Sequence, residues 1–433
     1  MTKEFINVRG MRDLFDKDLK IKYLIENTAR ELATSYGYQE ISTPIIEYTS
    51  VFNKTLGESS DVVLKEMYTF EDEKGRSLTL RPEATAGIAR AVVSNGLLGS
   101  GEYRIPLKLF LFGPMFRYER PQKGRYRQFN QVNFETFGNS IPEFDFELIS
   151  LAYNFLKKLN LPTNLVLNSL GDLESRTNYK KELLPFLNKN KDNLSEDSKK
   201  RINTNPLRIL DSKNKIDIEI IRNAPKMNNY LSQKSMDYYE TVKKLLVDNN
   251  IQFKEDKNLV RGLDYYKETV FEFKTDKLGN QQDTILGGGR YSGLIKMFGG
   301  DNIDGVGWAG GVDRLIEIYN DKKLDPKIIT TVFDDEYDQE AYRLVNLLRS
   351  TNSNQYIFEI YYDVKKDKQV KRANKIKSDF IIYIENKDEV KIYNKKNNNK
   401  STISDYTTNK IFKILNGNWK KISKNLRKIW LYK

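Results

Sequence analysis

The chain of 433 residues contains no cysteine and no histidine. The absence of cysteine excludes disulfide bridges, thiolate nucleophiles and thiolate-bound metals. The absence of histidine excludes a Ser-His-Asp triad and the usual imidazole general base. No metal site built from His or Cys is therefore expected, and any chemistry must rest on arginine, lysine, carboxylates, tyrosine, amides and hard cations bound by oxygen.

Long apolar runs are also absent, since no stretch approaches the roughly 20 residues that a membrane helix requires. Residues 1–5 lack the apolar region of a secretion signal, so the sequence predicts a cytoplasmic protein without a membrane partner. Hydrophobic residues make up 39% and charged residues 30% of the chain, which is typical of globular proteins. A chain of 433 residues predicts two or three domains.

Positive charge is concentrated near the C-terminus. Residues 364–433 hold 20 Lys/Arg and 6 Asp/Glu, a net charge of +14, whereas the whole chain carries +13. A basic segment on a nearly neutral body fits either a polyanionic partner or a lysine-rich solvated surface. Aromatic residues interleaved with the charges favour stacking on RNA bases. These residues are Tyr361, Tyr362, Tyr383, Tyr393 and Trp419.

Hydrophobic periodicity predicts a mixed α/β chain. The predicted helices are 19–36, 83–97, 144–160 and 313–319, and the predicted strands are 38–47, 77–81, 107–119, 126–138, 269–274 and 282–286. The strand at 126–138 alternates polar and apolar residues, which predicts a half-buried strand. Pro44 cannot donate to a strand ladder, so its segment is expected at an edge or an interface.

Two changes of character divide the chain. Lysine, asparagine and serine increase between residues 170 and 255, which predicts a helical insertion. After residue 327, strand patterns at 328–333, 356–362 and 380–384 alternate with helices around Leu344 and at 367–377, as in a small, partly parallel α/β domain. The predicted domains are therefore residues 1–325, with the insertion 170–255, and residues 327–433.

Residues 116–135 form two strand-like arms around a basic loop. Arg117 lies on the first arm, and Arg125 and Arg127 lie near the return, so a hairpin would gather guanidinium groups around a polyphosphate. Gln131 and Glu135 share parity and face one side of the returning strand. An inward Glu implies a cationic or hydrogen-bonding ligand. The alternative is a solvated, charged hairpin.

Three further segments carry less specific signals. Arg261 lies in an apolar setting and needs an anion, or an ion pair with Asp264, which is the structural alternative. The glycines at 287–289 allow a close approach to a ligand or form a tight turn. Residues 305–310 fit GxGxxG but lack the acidic ribose partner of a dinucleotide site, so small residues packing near a flat ligand are the better interpretation.

In this order, the segments resemble class II aminoacyl-tRNA synthetases, and histidyl-tRNA synthetases in particular. The resemblance covers nearly the whole chain and rests on residues 9–13 (N-terminal signature), 37–47 (motif 1), 79–85 (the TxRPExT loop), 116–135 (motif 2), 259–273 and 288–291 (histidine-enzyme motifs), and 305–314 (motif 3). It implies an antiparallel-sheet catalytic domain with a helical insertion, a C-terminal α/β domain of the anticodon-binding type, and a homodimer formed through motif 1.

The resemblance also implies a reaction, in which L-histidine is ligated to tRNA(His) through histidyl-adenylate, with ATP as substrate and Mg²⁺ as cation. By similarity, Glu83, Thr85 and Gln131 hold the α-amino group, while Glu135 and Tyr266 read the imidazole. The complete histidine-binding set implied is Glu83, Thr85, Gln131, Glu135, Arg261, Tyr265, Tyr266 and Tyr291. Since activation needs no protein nucleophile, this reaction agrees with a chain lacking Cys and His.

The remaining roles concern ATP and tRNA. The resemblance implies that Arg117, Arg125, Phe129 and Arg314 bind ATP, that Arg261 and Arg117 are catalytic, and that Arg120 and Gln122 contact the tRNA acceptor end. Tyr118 and Asn130 stand where the family commonly has His, and Ser292 stands where Asp is usual. The alternative is a non-catalytic, histidine-binding regulatory subunit, but such relatives usually lose the motif arginines. Arg261 and Tyr266 argue against another class II specificity.

Overall fold

The computed structural model describes residues 5–57, 62–98, 105–212, 214–261, 265–279, 283–320, 326–351 and 356–416. Asp264, Trp419 and the first residue of the strand predicted at 282–286 lie outside these ranges. The chain divides into two compact units, Met1–Asn320 and Asp321–Lys433. Within the described ranges, no helix combines the length and the apolar character needed to cross a lipid bilayer.

The helices, in chain order, are α1 (Asp16–Tyr36), α2 (Thr49–Leu56), α3 (Thr85–Ser94), α4 (Pro142–Lys158), α5 (Leu173–Lys189), α6 (Glu196–Thr204), α7 (Lys215–Ile221), α8 (Gln233–Asp248), α9 (Leu294–Met297), α10 (Val312–Ile318), α11 (Asp338–Ser350), α12 (Lys366–Lys375) and α13 (Thr408–Leu415). The helices predicted from periodicity are confirmed, with ends that shift by a few residues. α2, α9 and α13 were not predicted.

The strands are β1 (Gln39–Glu40), β2 (Ile46–Tyr48), β3 (Tyr68–Glu71), β4 (Ser77–Leu80), β5 (Leu107–Phe116), β6 (Gln128–Gly138), β7 (Asn164–Ser169), β8 (Phe253–Glu255), β9 (Tyr266–Lys274), β10 (Thr284–Tyr291), β11 (Asp304–Gly311), β12 (Lys327–Phe333), β13 (Tyr356–Ile360), β14 (Phe380–Ile384), β15 (Glu389–Asn394) and β16 (Asn399–Ser404). The hairpin of β15 and β16 was not predicted, because lysine and asparagine dominate its exposed positions.

The first unit is built on an eight-stranded sheet in the order β1-β5-β6-β11-β10-β9-β7-β8. Its neighbours are antiparallel except at the two ends, where β1 pairs with β5 and β7 pairs with β8 in parallel. A smaller antiparallel sheet has the order β2-β4-β3. The edge position predicted for the segment around Pro44 is confirmed, since β1 and β2 are both edge strands.

Burial along β6 corrects the prediction of a half-buried strand, because every residue from Gln131 to Gly138 is buried. The apolar face holds Phe134, whose ring packs against Phe110 and Trp308. The polar face carries Gln131 and Glu135, which line a cavity instead of facing bulk water. Alternation of polar and apolar residues therefore marks an internal ligand cavity rather than solvent.

The glycine-rich stretches also differ from the turn alternative. Gly287 to Gly289 lie inside β10, where they pair with both β9 and β11. Gly305 to Gly311 lie in β11, directly before α10. Because glycine has no side chain, neighbouring groups can approach the backbone of β10 and β11 closely. These glycines do not reverse the direction of the chain.

Helices α5 to α8 lie between β7 and β8 in the chain, and their buried residues Tyr179, Leu183 and Leu187 belong to the same hydrophobic core as residues of the large sheet. The helical character predicted for this region is confirmed, although it ends with β8, which joins the sheet. In the second unit, β13-β12-β14 are parallel and β14-β15-β16 are antiparallel. This mixed sheet confirms the partly parallel arrangement that was predicted.

Candidate active site

A cavity of about 410 Å³ lies over β6, β9, β10 and β11 of the large sheet. It is lined by side chains that the sequence analysis singled out. These are Glu83, Thr85, Arg117, Arg125, Phe129, Gln131, Glu135, Arg261, Tyr265, Tyr266, Tyr291 and Arg314. Arg120 and Gln122 do not line the cavity but are exposed on the loop between β5 and β6, where the backbones of Gln122 and Arg125 pair.

Glu135 is the centre of a hydrogen-bond network in the cavity. Its two carboxylate oxygens accept bonds from the hydroxyl of Thr85 (2.6 Å) and from the hydroxyl of Tyr291 (2.7 Å). Burial raises the pKa of Glu135 to about 8, even though both hydroxyl donors favour the charged form. At neutral pH this raised pKa favours the uncharged acid, which can pair with a polar ring.

Glu83 is held at the start of α3. Its carboxylate oxygens accept bonds from the backbone N–H groups of Thr85 (2.7 Å) and Ala86 (2.8 Å). These donors belong to the first turn of the helix, where backbone N–H groups lack helical partners. The acid is thereby fixed toward the cavity, although burial raises its pKa. Nearby, the buried Gln131 Oε1 has no hydrogen-bond partner among the described residues.

Three tyrosines close one end of the cavity. The ring centroid of Tyr265 lies 4.7 Å from that of Tyr266 and 5.4 Å from that of Tyr291. Burial raises the pKa of all three phenols, so their hydroxyls remain protonated and able to donate. This end of the cavity combines flat apolar surfaces with a few hydroxyls, which suits a small polar ring.

Three arginines occupy the other end. Burial lowers the pKa of Arg314, and the positive charges of Arg125 and Arg117 lower it further. Arg117 also lies over the ring of Phe129, with its guanidinium carbon 5.5 Å from the ring centroid. Like charges that are gathered in a partly buried cavity repel one another, and Glu119, which pairs with Arg125, offsets only part of this charge, so the arrangement favours the binding of an anion.

Arg261 lies between the two ends. It pairs with Glu272 of β9, and its guanidinium carbon lies 5.7 Å from the ring centroid of Tyr266. Burial opposes its charge, but Glu272 raises the pKa of Arg261 above the ordinary value. Its carboxylate partner among the described residues is thus Glu272, and the alternative partner Asp264 lies outside them.

Two glycines of the floor leave room for charged side chains. A Cβ atom on Gly307 would lie 1.7 Å from Glu135 Oε2, and a Cβ atom on Gly287 would lie 2.5 Å from Arg261 Nη1. Any side chain at either position would displace the acid or the guanidinium. The glycine-rich sequence is therefore required by the close approach of these two groups.

The N-terminal signature, residues 9–13, connects the basic hairpin to α10. Arg12 donates to Asp313 of α10 (2.9 Å), and its guanidinium carbon lies 4.2 Å from the ring centroid of Tyr126. Asp313 in turn accepts a bond from the backbone N–H of Asn130 on β6 (2.9 Å). The backbone N–H of Arg127 donates to the carbonyl of Gly10 (2.7 Å). The segment therefore fixes the basic hairpin against α10.

Several cavity residues were not singled out from the sequence. Glu119 pairs with Arg125, Thr284 accepts a bond from Arg314 through its carbonyl, and Glu272 binds Arg261. Glu119 and Glu272 could have been found from the sequence, because each is an acid close in the chain to an arginine of the predicted site. Arg290, by contrast, belongs to a resembling motif but is buried outside the cavity, where it pairs with Asp145 (2.8 Å).

A family model described as histidyl-tRNA synthetase matches residues 10–315. The chain belongs to the histidyl-tRNA synthetase family. It is 43% identical over 391 residues to the histidine–tRNA ligase of Rickettsia bellii, covering 89% of this chain and 92% of that protein. It is 45% identical over 381 residues to the histidine–tRNA ligase of Wolbachia pipientis subsp. Culex pipiens, covering 87% and 90%.

A solved structure agrees with this family assignment. The crystal structure of apo S. aureus histidyl-tRNA synthetase superposes with a TM-score of 0.73 at 33% identity, covering 92% of this chain and 97% of that chain. The predicted family resemblance and fold class are confirmed, and by family the chain is an aminoacyl-tRNA synthetase.

Proposed function

We propose that the chain activates L-histidine with ATP and transfers it to tRNA(His). The histidine carboxylate attacks the α-phosphorus of ATP, the bond to diphosphate breaks, and histidyl-adenylate forms. A ribose hydroxyl of tRNA then attacks the histidyl carbonyl, and AMP leaves. The observation that carries this proposal is the cavity itself, which places a buried acid among tyrosines beside three converging arginines.

Histidine would occupy the tyrosine end. Glu135 and the hydroxyl of Tyr266 face the same space, so one can accept the imidazole N–H while the other bonds the second nitrogen. Glu83, Thr85 and the unpartnered Gln131 Oε1 would hold the α-amino group. A site that pairs both ring nitrogens rejects amino acids without them, because its buried polar groups would be left unpaired.

ATP would occupy the arginine end. Arg117 would hold the α-phosphate, Arg125 and Arg314 the β- and γ-phosphates, and Phe129 would stack on adenine. Arg261 stands between the two ends and would neutralise charge on the α-phosphate as the carboxylate attacks. Positioning and charge stabilisation then supply most of the catalysis.

Mg²⁺ fits the acids on the arginine side. Mg²⁺ is usually bound by substrate phosphates and one or two carboxylates, and it neutralises phosphate charge. Glu119 and Glu272 are the carboxylates that lie beside the arginines of the cavity, so they are the candidates to hold the ion with ATP.

The finer assignments belong to the same proposal. Residues 1–325 would form the catalytic domain, with the insertion 170–255, and residues 327–433 would bind the anticodon region of tRNA. Arg120 and Gln122 would contact the acceptor end from the exposed loop. The motif 1 segment 37–47 would form a homodimer, and the enzyme would act in the cytoplasm.

The alternative is a histidine-binding regulatory subunit without catalytic activity. Loss of motif arginines would favour it, because such a protein has no polyphosphate to hold. Here Arg117, Arg125, Arg261 and Arg314 all line one cavity. Their convergence favours the enzyme.

The proposal is tested by pyrophosphate exchange with ATP and each of the twenty amino acids. We expect exchange with histidine alone, because only its side chain satisfies both Glu135 and Tyr266. Exchange with a different amino acid would refute the specificity, and histidine binding without any exchange would favour the regulatory subunit.

The role of Arg261 is tested by Arg261→Ala and Arg261→Lys. We expect Arg261→Ala to lower the rate of adenylate formation by about 10²-fold or more, because charge at the α-phosphate loses its neutralising partner. The histidine dissociation constant should change only a few-fold, as measured by calorimetry. Arg261→Lys should recover part of the rate, since it keeps the charge without the planar fork. Equal losses of rate and binding would contradict this role.

A further inference from the structure

Glu268 is a buried titratable residue that the proposed reaction does not use. It lies two residues after Tyr266 on β9 and is 5% exposed. Its Oε1 accepts a bond from the hydroxyl of Ser235 (3.0 Å), whereas Oε2 has no hydrogen-bond partner within the described part of the chain. Burial raises its pKa, which favours the neutral acid.

The backbone at Glu268 is strained. Its φ is +48°, a left-handed conformation that is unfavourable for a residue with a side chain. Such a conformation persists only where the surroundings impose it. Here it belongs to a β-bulge, because Val270 pairs with Gly289 while Lys267 already pairs with Arg290. Glu268 and Thr269 are the two residues left out of the ladder between β9 and β10, although Thr269 pairs with Ser169 of β7 on the other side. We call these two residues the β9 bulge.

The β9 bulge decides which side chain reaches the tyrosine end of the cavity. With the bulge, Tyr266 pairs with Tyr291 across the strands. If the regular pairing set by Val270 and Gly289 simply continued, Glu268 would stand opposite Tyr291. Tyr266 would then be two positions away from Tyr291 and could not meet the same ligand as Glu135.

The helical insertion holds the β9 bulge. The backbone N–H of Glu268 donates to the carbonyl of Gly171 (3.0 Å), and its own carbonyl accepts from Leu170 (2.8 Å). Ser235, in the first turn of α8, binds the Glu268 side chain and also accepts from the backbone N–H of Asp172 (3.0 Å). Asp172 caps α5 and accepts a bond from the hydroxyl of Ser232 (2.8 Å), so the starts of α5 and α8 meet at the bulge.

A second contact joins the insertion to Tyr266. Arg176 of α5 donates to the backbone carbonyl of Tyr266 (3.2 Å). The insertion therefore contacts the strand at the bulge and at the tyrosine. Both contacts act on the same short segment of β9.

We propose that Glu268 is a positioning residue for histidine recognition, because its carboxyl, bound by Ser235, holds the β9 bulge that brings Tyr266 opposite Tyr291. This inference rests on the proposed function, in which Tyr266 binds the imidazole. Glu268 itself touches no substrate. Its effect is expected on histidine and not on ATP, whose arginines lie on other elements.

The test uses pyrophosphate exchange by the full chain carrying Glu268→Ala, Glu268→Gln or Ser235→Ala. We expect Glu268→Ala and Ser235→Ala each to raise the KM for histidine about tenfold, with the KM for ATP within about twofold of the wild type. Glu268→Gln keeps an oxygen acceptor for Ser235 and should remain near the wild type. The double variant Glu268→Ala/Ser235→Ala should have a KM for histidine no higher than that of the more affected single variant. The two substitutions remove the same contact, the hydrogen bond between Ser235 and Glu268.

Ser198→Ala is the matched control. Ser198 is a buried serine of the same insertion, and its hydroxyl donates to Asp217 (2.7 Å) away from the bulge. It should lower thermal stability without changing the KM for histidine. A KM for histidine that stays unchanged in both Glu268→Ala and Ser235→Ala, or a KM for ATP that rises equally, would overturn the inference. If Glu268→Ala does not fold, Ser235→Ala and Glu268→Gln decide. Failure of the wild type to exchange with histidine would instead refute the proposed function.

Discussion

The Glu135 carboxyl links recognition to stability at the scale of a single residue. In the folded chain burial raises its pKa to about 8, whereas its ordinary value is 4.5. Between these values the folded state holds a proton that the unfolded state has released. The free energy of unfolding therefore falls as pH rises through this window, because stability decreases wherever the unfolded state binds fewer protons.

Glu135→Gln should remove this loss. We expect the variant to unfold with nearly wild-type free energy at pH 5 and to be more stable by on the order of 3 kcal/mol at pH 9, since glutamine never ionises. Urea denaturation at pH 5, 7 and 9 measures the effect. Histidine exchange should be lost at every pH.

Glu31→Gln is the control for Glu135→Gln, because Glu31 is exposed and its side chain is only weakly paired with Lys158. It should keep the wild-type dependence on pH. If Glu135→Gln also kept that dependence, the buried carboxyl would not be the source of the effect.

The two-residue alternation of a strand was enough to predict which site residues share a face, but not which distant residues they contact. Phe129, Gln131 and Glu135 line the cavity because residues two and four positions apart on a strand share a face. The partner of Arg12 could not be predicted, since Asp313 is 301 residues away in the chain. Such contacts depend on how distant elements pack, which local periodicity does not encode.

At the scale of elements, Arg12 joins the N-terminal signature to β6 and α10. Arg12 does not line the cavity itself, so substituting it tests whether these contacts support the arginine end. Its guanidinium touches Tyr126 and Asp313, which flank the arginine end. We expect Arg12→Ala to raise the KM for ATP about tenfold and to change the KM for histidine about twofold or less. Pyrophosphate exchange at varied ATP and histidine concentrations provides the measurement.

Arg30→Ala is the comparison for Arg12→Ala. Arg30 makes a surface pair with Glu40 (2.8 Å), and both side chains are about half exposed. It should leave both KM values unchanged, because exposed ion pairs contribute little. A rise of both KM values in Arg12→Ala would mean that Arg12 supports the whole domain and not the ATP end.

The sequence predicted whether a segment is a helix or a strand better than it predicted the burial and pairing of its residues. The strand signal of β6 was correct, but its alternation predicted a half-buried strand, whereas Gln131, Asn133 and Glu135 are all buried. The glycines of β10 were compatible with a turn until their pairing with β9 and β11 was known. A residue pattern alone does not state whether polar groups face solvent or a ligand.

At the scale of the whole molecule, the C-terminal unit presents an open sheet face. Helices α11 and α13 pack on one face, around Ile382, Ile392 and Ile403. α12 covers only part of the other face, through Ala373 and Val370. The uncovered part forms a groove of about 680 Å³. The side chains along it are those of Tyr383, Glu385, Lys391, Tyr393, Lys400 and Thr402.

We expect this groove to contact RNA, because it contains Tyr383 and Tyr393, two of the aromatic residues interleaved with the basic segment. The ammonium of Lys400 lies 5.6 Å from the ring centroid of Tyr393, which places a cation beside a stacking platform. We expect Tyr393→Leu/Lys400→Glu to raise the KM for tRNA about tenfold in aminoacylation. Pyrophosphate exchange without tRNA should be unchanged, because the catalytic cavity lies in the other unit.

Arg343→Glu is the control for the groove. Arg343 is an exposed cation on α11, which packs on the opposite face of the sheet. It should affect the KM for tRNA much less than the groove variant. Equal effects of the two variants would mean that RNA responds to the net charge of the unit and not to this groove.

The β9 bulge also limits which deletions within β9 keep Tyr266 in place. Because two residues leave the ladder, the strand has the same alternation before and after them. Loss of both codons would join Lys267 to Val270 in a regular ladder and keep Tyr266 opposite Tyr291, although without the anchor to α8. Loss of one codon would turn Tyr266 to the wrong face. Shortening at this point therefore keeps Tyr266 on the cavity face only when an even number of residues is lost, and it also removes the pairing of Thr269 with Ser169 of β7.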